Sequence, residues 1–276
     1  MTDRRITPAN GRVAHLSLRG QIEADNFVEG EWMRVTVPLA DLLAQPGGPR
    51  DRQLLLGERL LVLERRSGHA FVQAQKDGYC GYLMDHALGP DQLPSHWVAA
   101  PATHLYAAPG LKSREVASLS FGALLTVSAE HSAFFETAEG LFAPRQHLRL
   151  MGDFLTDPAH VAEMFLGTPY LWGGNSRAGI DCSGLVQAAL RACGIACPRD
   201  SDQQFAALGN PLPDDAIYQR GDLLFWKGHV AIAVDREKLI HANGFHMTTN
   251  YEGISATLAR ISAQEGRGAF LGAKRL

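Results

Sequence analysis

The stretch that decides the fold of the C-terminal half is Thr168-Pro-Tyr-Leu-Trp-Gly-Gly-Asn-Ser-Arg-Ala-Gly-Ile-Asp-Cys-Ser-Gly-Leu-Val-Gln187. It predicts a glycine-rich loop that ends at Cys182 and continues as a helix, since apolar side chains recur there at helical spacing. Asp181 is a natural N-cap for this helix, and Gly194 is a natural C-terminal stop. Cys182 then lies in the first turn, where we expect the field of the helix to lower the pKa of its thiol. The arrangement is typical of a catalytic nucleophile, with a buried structural cysteine as the alternative.

The composition is that of a folded protein without a bias toward nucleic acid or membrane. The chain has 276 residues, 46% hydrophobic and 20% charged, enough for two or three domains, and a formal net charge of -3. It contains no transmembrane run and no apolar segment near Met1 typical of a secretory signal. Its four cysteines show neither a disulfide framework nor a zinc-site spacing. We therefore expect a cytoplasmic monomer without metal or cofactor, and with no nucleic-acid or membrane partner.

The pattern of the N-terminal half predicts β-structure in two copies. We interpret residues 1–30 as an arm, residues 31–95 as a first small barrel and residues 96–152 as a second. Strand-like runs in the first copy are followed by Asp77-Gly-Tyr-Cys-Gly-Tyr, and Glu139-Gly-Leu-Phe-Ala-Pro parallels that turn in the second. The pair resembles bacterial SH3-like domains, which are small five-stranded β-barrels.

The pattern changes after Asp153 and predicts an α+β domain over residues 153–276. Asp157-Pro-Ala-His begins a capped helix, and another helix begins near Ser201. Further strands are expected in the remaining segments, which are residues 221–226, 229–235, 238–242, 251–258 and 269–276. Helices followed by an antiparallel sheet indicate the α+β class.

Two histidines are candidates for the base that a cysteine nucleophile needs. His229 opens one predicted strand and His241 ends the next, and antiparallel neighbours bring such ends together. His229 can then face Cys182 while His241 holds the other ring nitrogen of His229 and sets its tautomer. Because the chain has eleven histidines, two solvent-exposed residues at strand edges are the alternative.

Five motifs, in this order, resemble those of the NlpC-type cell-wall peptidases, a branch of the papain-like cysteine peptidases: Tyr170-Leu-Trp-Gly-Gly, Asp181-Cys-Ser-Gly, Gly221-Asp-Leu-Leu-Phe-Trp, Gly228-His-Val-Ala-Ile and Ile240-His-Ala. The resemblance covers residues 155–276 and implies a papain-like α+β catalytic domain behind the two barrels. It implies Cys182 as nucleophile, His229 as base and His241 as the polar third member. It also implies that the hydroxyl of Tyr170 helps to bind the oxyanion.

The motif Pro198-Arg-Asp-Ser indicates a narrower class within this family. Members that resemble γ-D-glutamyl-L-diamino acid endopeptidases keep an aspartate at the position of Asp200, where it binds the free amine of an N-terminal L-alanine. A buried ammonium must be paired, so a carboxylate suits that task, and a plain helix N-cap is the alternative. The same resemblance implies further substrate-binding residues: Tyr79, or else Tyr82, as an aromatic group from the first barrel, Glu58 as an additional acid, and Trp172, Asp181, Ser183 and Ser201 around the subsites.

The function predicted on this basis is hydrolysis of the amide between γ-D-glutamate and a diamino acid in murein peptides that begin with free L-alanine. The diamino acid, diaminopimelate or lysine, stays open, and the setting we expect is recycling of cell-wall peptides. One alternative is an endopeptidase that acts on intact peptidoglycan stem peptides. Another is a peptide-binding protein without catalysis.

Overall fold

The computed structural model describes residues 2–263 and 269–276. The chain divides into two compact units, Met1–Met151 and Gly152–Leu276. Among the described helices, none combines the length and the hydrophobicity needed to cross a lipid bilayer.

The first part of the N-terminal unit is built on a seven-stranded antiparallel sheet. Before it, β1 (Val13–His15) and β2 (Asn26–Val28) form a short parallel pair within the segment expected to be an arm. The strands of the sheet are β3 (Glu31–Val35), β4 (Leu39–Leu43), β5 (Arg50–Leu55), β6 (Arg59–Arg66), β7 (His69–Ala74), β8 (Cys80–Met84) and β9 (Leu88–Pro90). Their order is β5-β4-β8-β7-β6-β3-β9. Alternating side chains of these strands fill one core, as half-buried strands require.

The second part of the same unit holds a five-stranded and a three-stranded sheet. The strands are β10 (His96–Val98), β11 (Ala102–Tyr106), β12 (Glu115–Ser120), β13 (Leu124–Leu125), β14 (Val127–His131), β15 (Phe134–Thr137), β16 (Phe142–Pro144) and β17 (Leu148–Leu150). The orders are β12-β11-β16-β15-β14 and β13-β10-β17. A separate buried cluster forms their core and also takes in Leu55 and Leu56 from the first part.

The C-terminal unit packs helices against an antiparallel sheet. Its helices are α1 (Pro158–Glu163), α2 (Cys182–Ala192), α3 (Ser201–Ala207) and α4 (Ile254–Ser262). Its strands are the hairpin β18 (Asn175–Ser176) and β19 (Gly179–Ile180), then β20 (Asn210–Pro211), β21 (Leu223–Trp226), β22 (His229–Ala233), β23 (Lys238–Asn243), β24 (Thr248–Gly253) and β25 (Phe270–Arg275). The larger sheet has the order β20-β25-β21-β22-β23-β24, and α2 packs on β22 and β23.

One strand expectation in this unit was wrong. Residues 251–258 do not form a strand throughout, because β24 ends at Gly253 and α4 begins at Ile254. Ile254, Leu258 and Ile261 recur at helical spacing and contribute to one apolar cluster beneath the sheet. The helical spacing of these apolar residues therefore decides the conformation after Gly253.

Candidate active site

Asp181 connects the glycine-rich loop to the helix that begins with Cys182. Its Oδ1 accepts a hydrogen bond from the backbone N–H of Gly184 at 2.7 Å, which caps α2, and its Oδ2 accepts one from the N–H of Gly173 at 2.8 Å. The helix ends before Gly194, whose φ of 77° is in the left-handed region. Both predicted end signals of α2 are confirmed, and the cysteine is in its first turn.

Arg199 is buried behind this loop and binds three of its groups and one group of α2. The guanidinium donates to the carboxylate of Asp181 at 2.8 Å and to the backbone carbonyl of Gly174 at 3.2 Å. It also donates to Asn175 Oδ1 at 2.9 Å and to Ser183 Oγ at 2.7 Å. A planar group with several donors suits such a task, because each loop acceptor needs a partner once it is buried.

Two glycines allow the loop to approach the helix closely. A Cβ at Gly174 would lie 2.5 Å from the carbonyl oxygen of Gly179, and a Cβ at Gly184 would lie 2.6 Å from the carbonyl oxygen of Gly174. Both distances are below any normal contact to backbone. Gly174 of the Gly-Gly pair and Gly184 of the Cys-Ser-Gly motif are therefore required by the packing next to Cys182.

The Cys182 side chain is buried at the junction of α2 with β22. Its sulfur accepts hydrogen bonds from the backbone N–H groups of Val230 and Ser183, and the residue is 7% exposed. Burial, reinforced by the negative charge of Asp181, nevertheless raises the pKa of the thiol to about 12. The expectation of a lowered pKa was wrong, because loss of water outweighs the field of the helix in this position.

Two imidazoles and a carboxylate form a hydrogen-bonded chain that begins at His229, the residue before the Val230 whose N–H bonds this sulfur. His229 precedes Val230, and its Nε2 lies 2.9 Å from Nδ1 of His241. The Nε2 of His241 lies 3.1 Å from Oε2 of Glu252. Burial lowers the pKa of His229 to about 3, helped by the neighbouring His241, and burial also lowers the pKa of His241. Both rings are therefore neutral at pH 7. Nδ1 is the nitrogen of His229 that does not face His241.

Tyr170 and Trp172 lie on the loop that precedes α2. The N–H of Tyr170 donates to the carbonyl of Met247 at 3.0 Å, and its backbone forms a bridge with Ile180, so the main chain of this residue is held on both sides. Trp172 is 71% exposed. The structure therefore leaves the indole accessible to a ligand, ten residues before Cys182 in the sequence.

Asp200 occupies the N-cap position of α3 without making a side-chain capping bond, so the plain N-cap alternative lacks its hydrogen bond. The carboxylate is a source of negative charge beside Arg199. Ser201 begins the helix. Ser183 hydrogen-bonds to Asp181 at 3.3 Å and accepts from Arg199, so its hydroxyl is already part of the loop network.

The three candidates from the first part of the N-terminal unit each contact other side chains of that unit. Tyr79 lies in the core cluster, with the guanidinium of Arg52 5.5 Å from its ring centroid. Tyr82 packs on Phe71 at a centroid distance of 5.0 Å, in a different cluster. Glu58 is buried and accepts from the ammonium of Lys76 at 2.5 Å and from the N–H of Leu55. Its second oxygen, Oε2, is buried without a hydrogen-bond partner among the described residues.

Two residues of the site had been assigned no role from the sequence. Arg199 lies in the motif Pro198-Arg-Asp-Ser, and its position between the proline and the aspartate could have indicated a role in the site. Glu252 follows His241 on the next strand, but the length of the intervening turn is not evident from the sequence. Over residues 2–263 and 269–276, no three His, Cys, Asp or Glu side chains gather in the manner of metal ligands.

Comparison with known proteins connects this geometry to a family. The model of the NlpC/P60 family matches residues 167–260, and that of the bacterial dipeptidyl-peptidase SH3 domain matches residues 42–88. The γ-D-glutamyl-L-lysine dipeptidyl-peptidase of Bacillus subtilis is 33% identical over 217 residues, which cover 69% of this chain and 71% of the relative. The chain belongs to the NlpC/P60 family. It is a cysteine peptidase with an SH3 domain before its NlpC/P60 domain, and the predicted family and enzyme class are confirmed.

Two further relatives of this NlpC/P60 peptidase agree with that assignment. The protein of the same name from Bacillus cereus is 27% identical over 226 residues, which cover 70% of this chain and 67% of the relative. A crystal structure of an NlpC/P60 family protein from Bacillus cereus superposes with a TM-score of 0.74 at 22% identity, over 89% of this chain and 99% of that one. At that identity the superposition establishes the fold.

Proposed function

We propose that this peptidase hydrolyses the amide between γ-D-glutamate and a diamino acid in murein peptides with a free N-terminal L-alanine. One observation carries the proposal: the match to a γ-D-glutamyl-L-lysine dipeptidyl-peptidase extends over 217 residues. The NlpC/P60 family model matches only residues 167–260. The longer alignment to the dipeptidyl-peptidase therefore includes the N-terminal unit as well. A likeness of this extent supports a shared substrate specificity, whereas the Cys-His pair alone supports only a shared reaction type.

The reaction that we propose begins with a neutral pair. The proton of Cys182 passes to Nδ1 of His229 as the sulfur attacks the γ-carbonyl carbon of D-glutamate. The N–H of Cys182 and the hydroxyl of Tyr170 stabilise the resulting oxyanion. His229 then protonates the leaving amine of the diamino acid, and a thioester remains on Cys182.

Water completes the cycle. His229, neutral again, takes a proton from water, and the hydroxide equivalent attacks the thioester carbonyl. The carbon–sulfur bond breaks, the dipeptide L-Ala-D-Glu leaves, and the proton returns to the Cys182 sulfur. Throughout, Nδ1 of His241 accepts a hydrogen bond from Nε2–H of His229 and so orients the ring.

Recognition of the substrate is assigned to the groups around the start of α3 and the loop before α2. Asp200 is proposed to pair with the ammonium of L-alanine, since a buried ammonium needs an anionic partner and this carboxylate lies at the start of α3. Trp172, Asp181, Ser183 and Ser201 are proposed to shape the γ-D-glutamyl subsite. The roles of Tyr79, Tyr82 and Glu58 stay predictions.

We also infer that residues 96–152 form a second SH3-like barrel. In the first part a strand, a 3-10 turn and a short strand follow one another over residues 80–90, and the same order recurs over residues 142–150. Each part has its own buried cluster. Recycling of murein peptides in the cytoplasm, by a monomer, is the setting we propose. The four cysteines of the described residues form no disulfide with one another, which suits a reducing compartment.

The specificity proposal is tested by Asp200→Asn. We expect the KM for L-Ala-γ-D-Glu-diaminopimelate to rise about 30-fold or more, because truncating a buried charge pair costs about 2 kcal/mol or more. The kcat/KM for an N-acetylated analogue, which has no ammonium, should change little. Asp202→Asn, the same chemical change in the first turn of α3, is the matched control.

Product analysis by mass spectrometry distinguishes the outcomes. Equal losses on both substrates would contradict the amine-binding role of Asp200. Cleavage of purified sacculi at a rate comparable to that of the free tripeptide would favour the alternative, an endopeptidase on intact peptidoglycan. The comparison with both tripeptides, containing diaminopimelate or lysine, also identifies the preferred diamino acid.

A further inference from the structure

Glu252 lies directly behind the two histidines of the site. On the hairpin of β23 and β24, His241 pairs with Asn250, so Glu252 is its diagonal neighbour on the same face of the sheet. The carboxylate Oε2 is 3.1 Å from Nε2 of His241, whose side chain is fully buried. The hairpin therefore adds a third side chain, the Glu252 carboxylate, to the hydrogen-bonded pair of imidazoles.

The Glu252 carboxylate is held as an anion by α4. Arg260 donates from Nε to Oε1 at 2.9 Å and from its terminal nitrogen to Oε2 at 2.7 Å. Burial opposes ionisation, but the hydrogen bonds from His241 and Arg260 lower the pKa of Glu252 to about 2. Among the described residues, a further titratable neighbour is His246 on the β23–β24 turn, 3.7 Å away. An ionised carboxylate can only accept hydrogen bonds.

The position of each hydrogen in the row of hydrogen bonds from Glu252 through His241 to His229 follows from this carboxylate acceptor. Nε2 of His241 must carry the hydrogen that Glu252 accepts, so in the neutral ring Nδ1 of His241 is unprotonated. That Nδ1 can then only accept, from Nε2–H of His229 at 2.9 Å. The neutral ring of His229 therefore has its lone pair on Nδ1, the nitrogen that must take the thiol proton.

We propose that Glu252 is a positioning residue that sets the tautomers of His241 and His229. The inference rests on the proposed roles of Cys182 and His229. Without a carboxylate behind it, His241 can turn its proton to Nδ1. In that tautomer it no longer accepts from His229, which is then free to place its own hydrogen toward the sulfur and cannot act as a base.

The test is a pair of substitutions measured alone and together. Glu252→Gln should lower kcat/KM about 10- to 100-fold, by analogy with carboxylates that orient metal-bound histidines, with little change in KM. In a His241→Asn background the same substitution should change kcat/KM less than about twofold. The asparagine amide can accept from His229 but has no second tautomer for a carboxylate to select, as in Cys-His-Asn peptidases.

Equal losses from Glu252→Gln in both backgrounds would overturn the proposal, because the effect would not pass through the ring of His241. An unchanged kcat/KM in the wild-type background would also overturn it. The matched control is Glu163→Gln. Glu163 is likewise bound by an arginine, Arg220 at 2.8 Å, and by the hydroxyl of Tyr251 at 3.0 Å, but it has no bond to the histidine pair. That variant should keep its activity.

Nitrogen NMR of histidine-labelled protein provides a readout that packing alone would not move. In the wild-type enzyme at pH 7, both His229 and His241 should carry their hydrogen on Nε2, and Glu252→Gln should give a mixture for His241. A wild-type His229 protonated on Nδ1 would overturn the proposal even if the variant failed to fold. Unchanged tautomers in a folded Glu252→Gln variant would overturn it as well.

Discussion

At Cys182 two effects act on the thiol in opposite directions. The first turn of α2 and the N–H groups of Val230 and Ser183 favour the thiolate, whereas burial and Asp181 favour the thiol. Burial prevails, and it also keeps His229 neutral. The site thus holds a neutral pair in the free enzyme, and the reactive sulfur forms only as its proton moves to the imidazole.

The reactivity of Cys182 toward iodoacetamide measures which effect prevails. Because the pKa of the thiol is raised to about 12, the thiolate fraction should grow about tenfold for each pH unit between 7 and 10. Peptide mapping after timed alkylation separates Cys182 from Cys80, Cys193 and Cys197. A rate that reaches a plateau by pH 7 would show instead that the helix lowers the pKa.

Part of this could be predicted from individual residues. The aspartate before the cysteine and the glycine after the helix fixed the ends of α2, because capping is a local interaction. The pKa of the thiol could not be predicted, since it depends on how much water the strands and Arg199 displace. Glu252 was missed because it comes close to His241 only through the register of the β23–β24 hairpin, which the sequence does not specify.

At the scale of elements, the site depends on one loop and one hairpin. The loop before α2 is bound by Arg199, and the hairpin of β22 and β23 carries the two histidines. Both strands were predicted from the sequence, and in the fold β22 and β23 both pack against α2. The segment after Gly253 was misjudged because three or four residues do not distinguish a strand from the start of a helix.

Removal of Arg199 tests how strongly the loop is tied to the helix. Arg199→Met leaves the Asp181 carboxylate buried without its ion partner, and such a change costs about 3 to 5 kcal/mol. The free energy of unfolding, measured in urea by tryptophan fluorescence, should fall by that amount.

Arg220→Met is the control for this experiment. Arg220 also binds two carboxylates, Asp157 and Glu163, but its side chain is 39% exposed, so about 1 kcal/mol or less is expected. Equal losses for the two variants would contradict the structural role assigned to the buried arginine.

At the scale of the whole molecule, the two units differ in how well their family could be recognised from the sequence. The C-terminal unit has strong local motifs, so its family could be predicted from five short segments. The N-terminal unit has weak ones, because a small barrel is specified by alternation and turns that many sequences share. Its candidate residues Tyr79 and Tyr82 contribute to two different buried clusters, a distinction that depends on strand register and was not accessible from the sequence.

The claim on which the account depends is that Cys182 carries out the cleavage. The direct measurement is quantification by mass spectrometry of L-Ala-D-Glu released from L-Ala-γ-D-Glu-diamino acid by the wild-type enzyme and by Cys182→Ala. The account predicts release of this dipeptide and the free diamino acid by the wild-type enzyme, and a loss of at least about a thousandfold in the variant, as for removal of a catalytic nucleophile. Turnover by the folded variant within tenfold of the wild-type rate would contradict it.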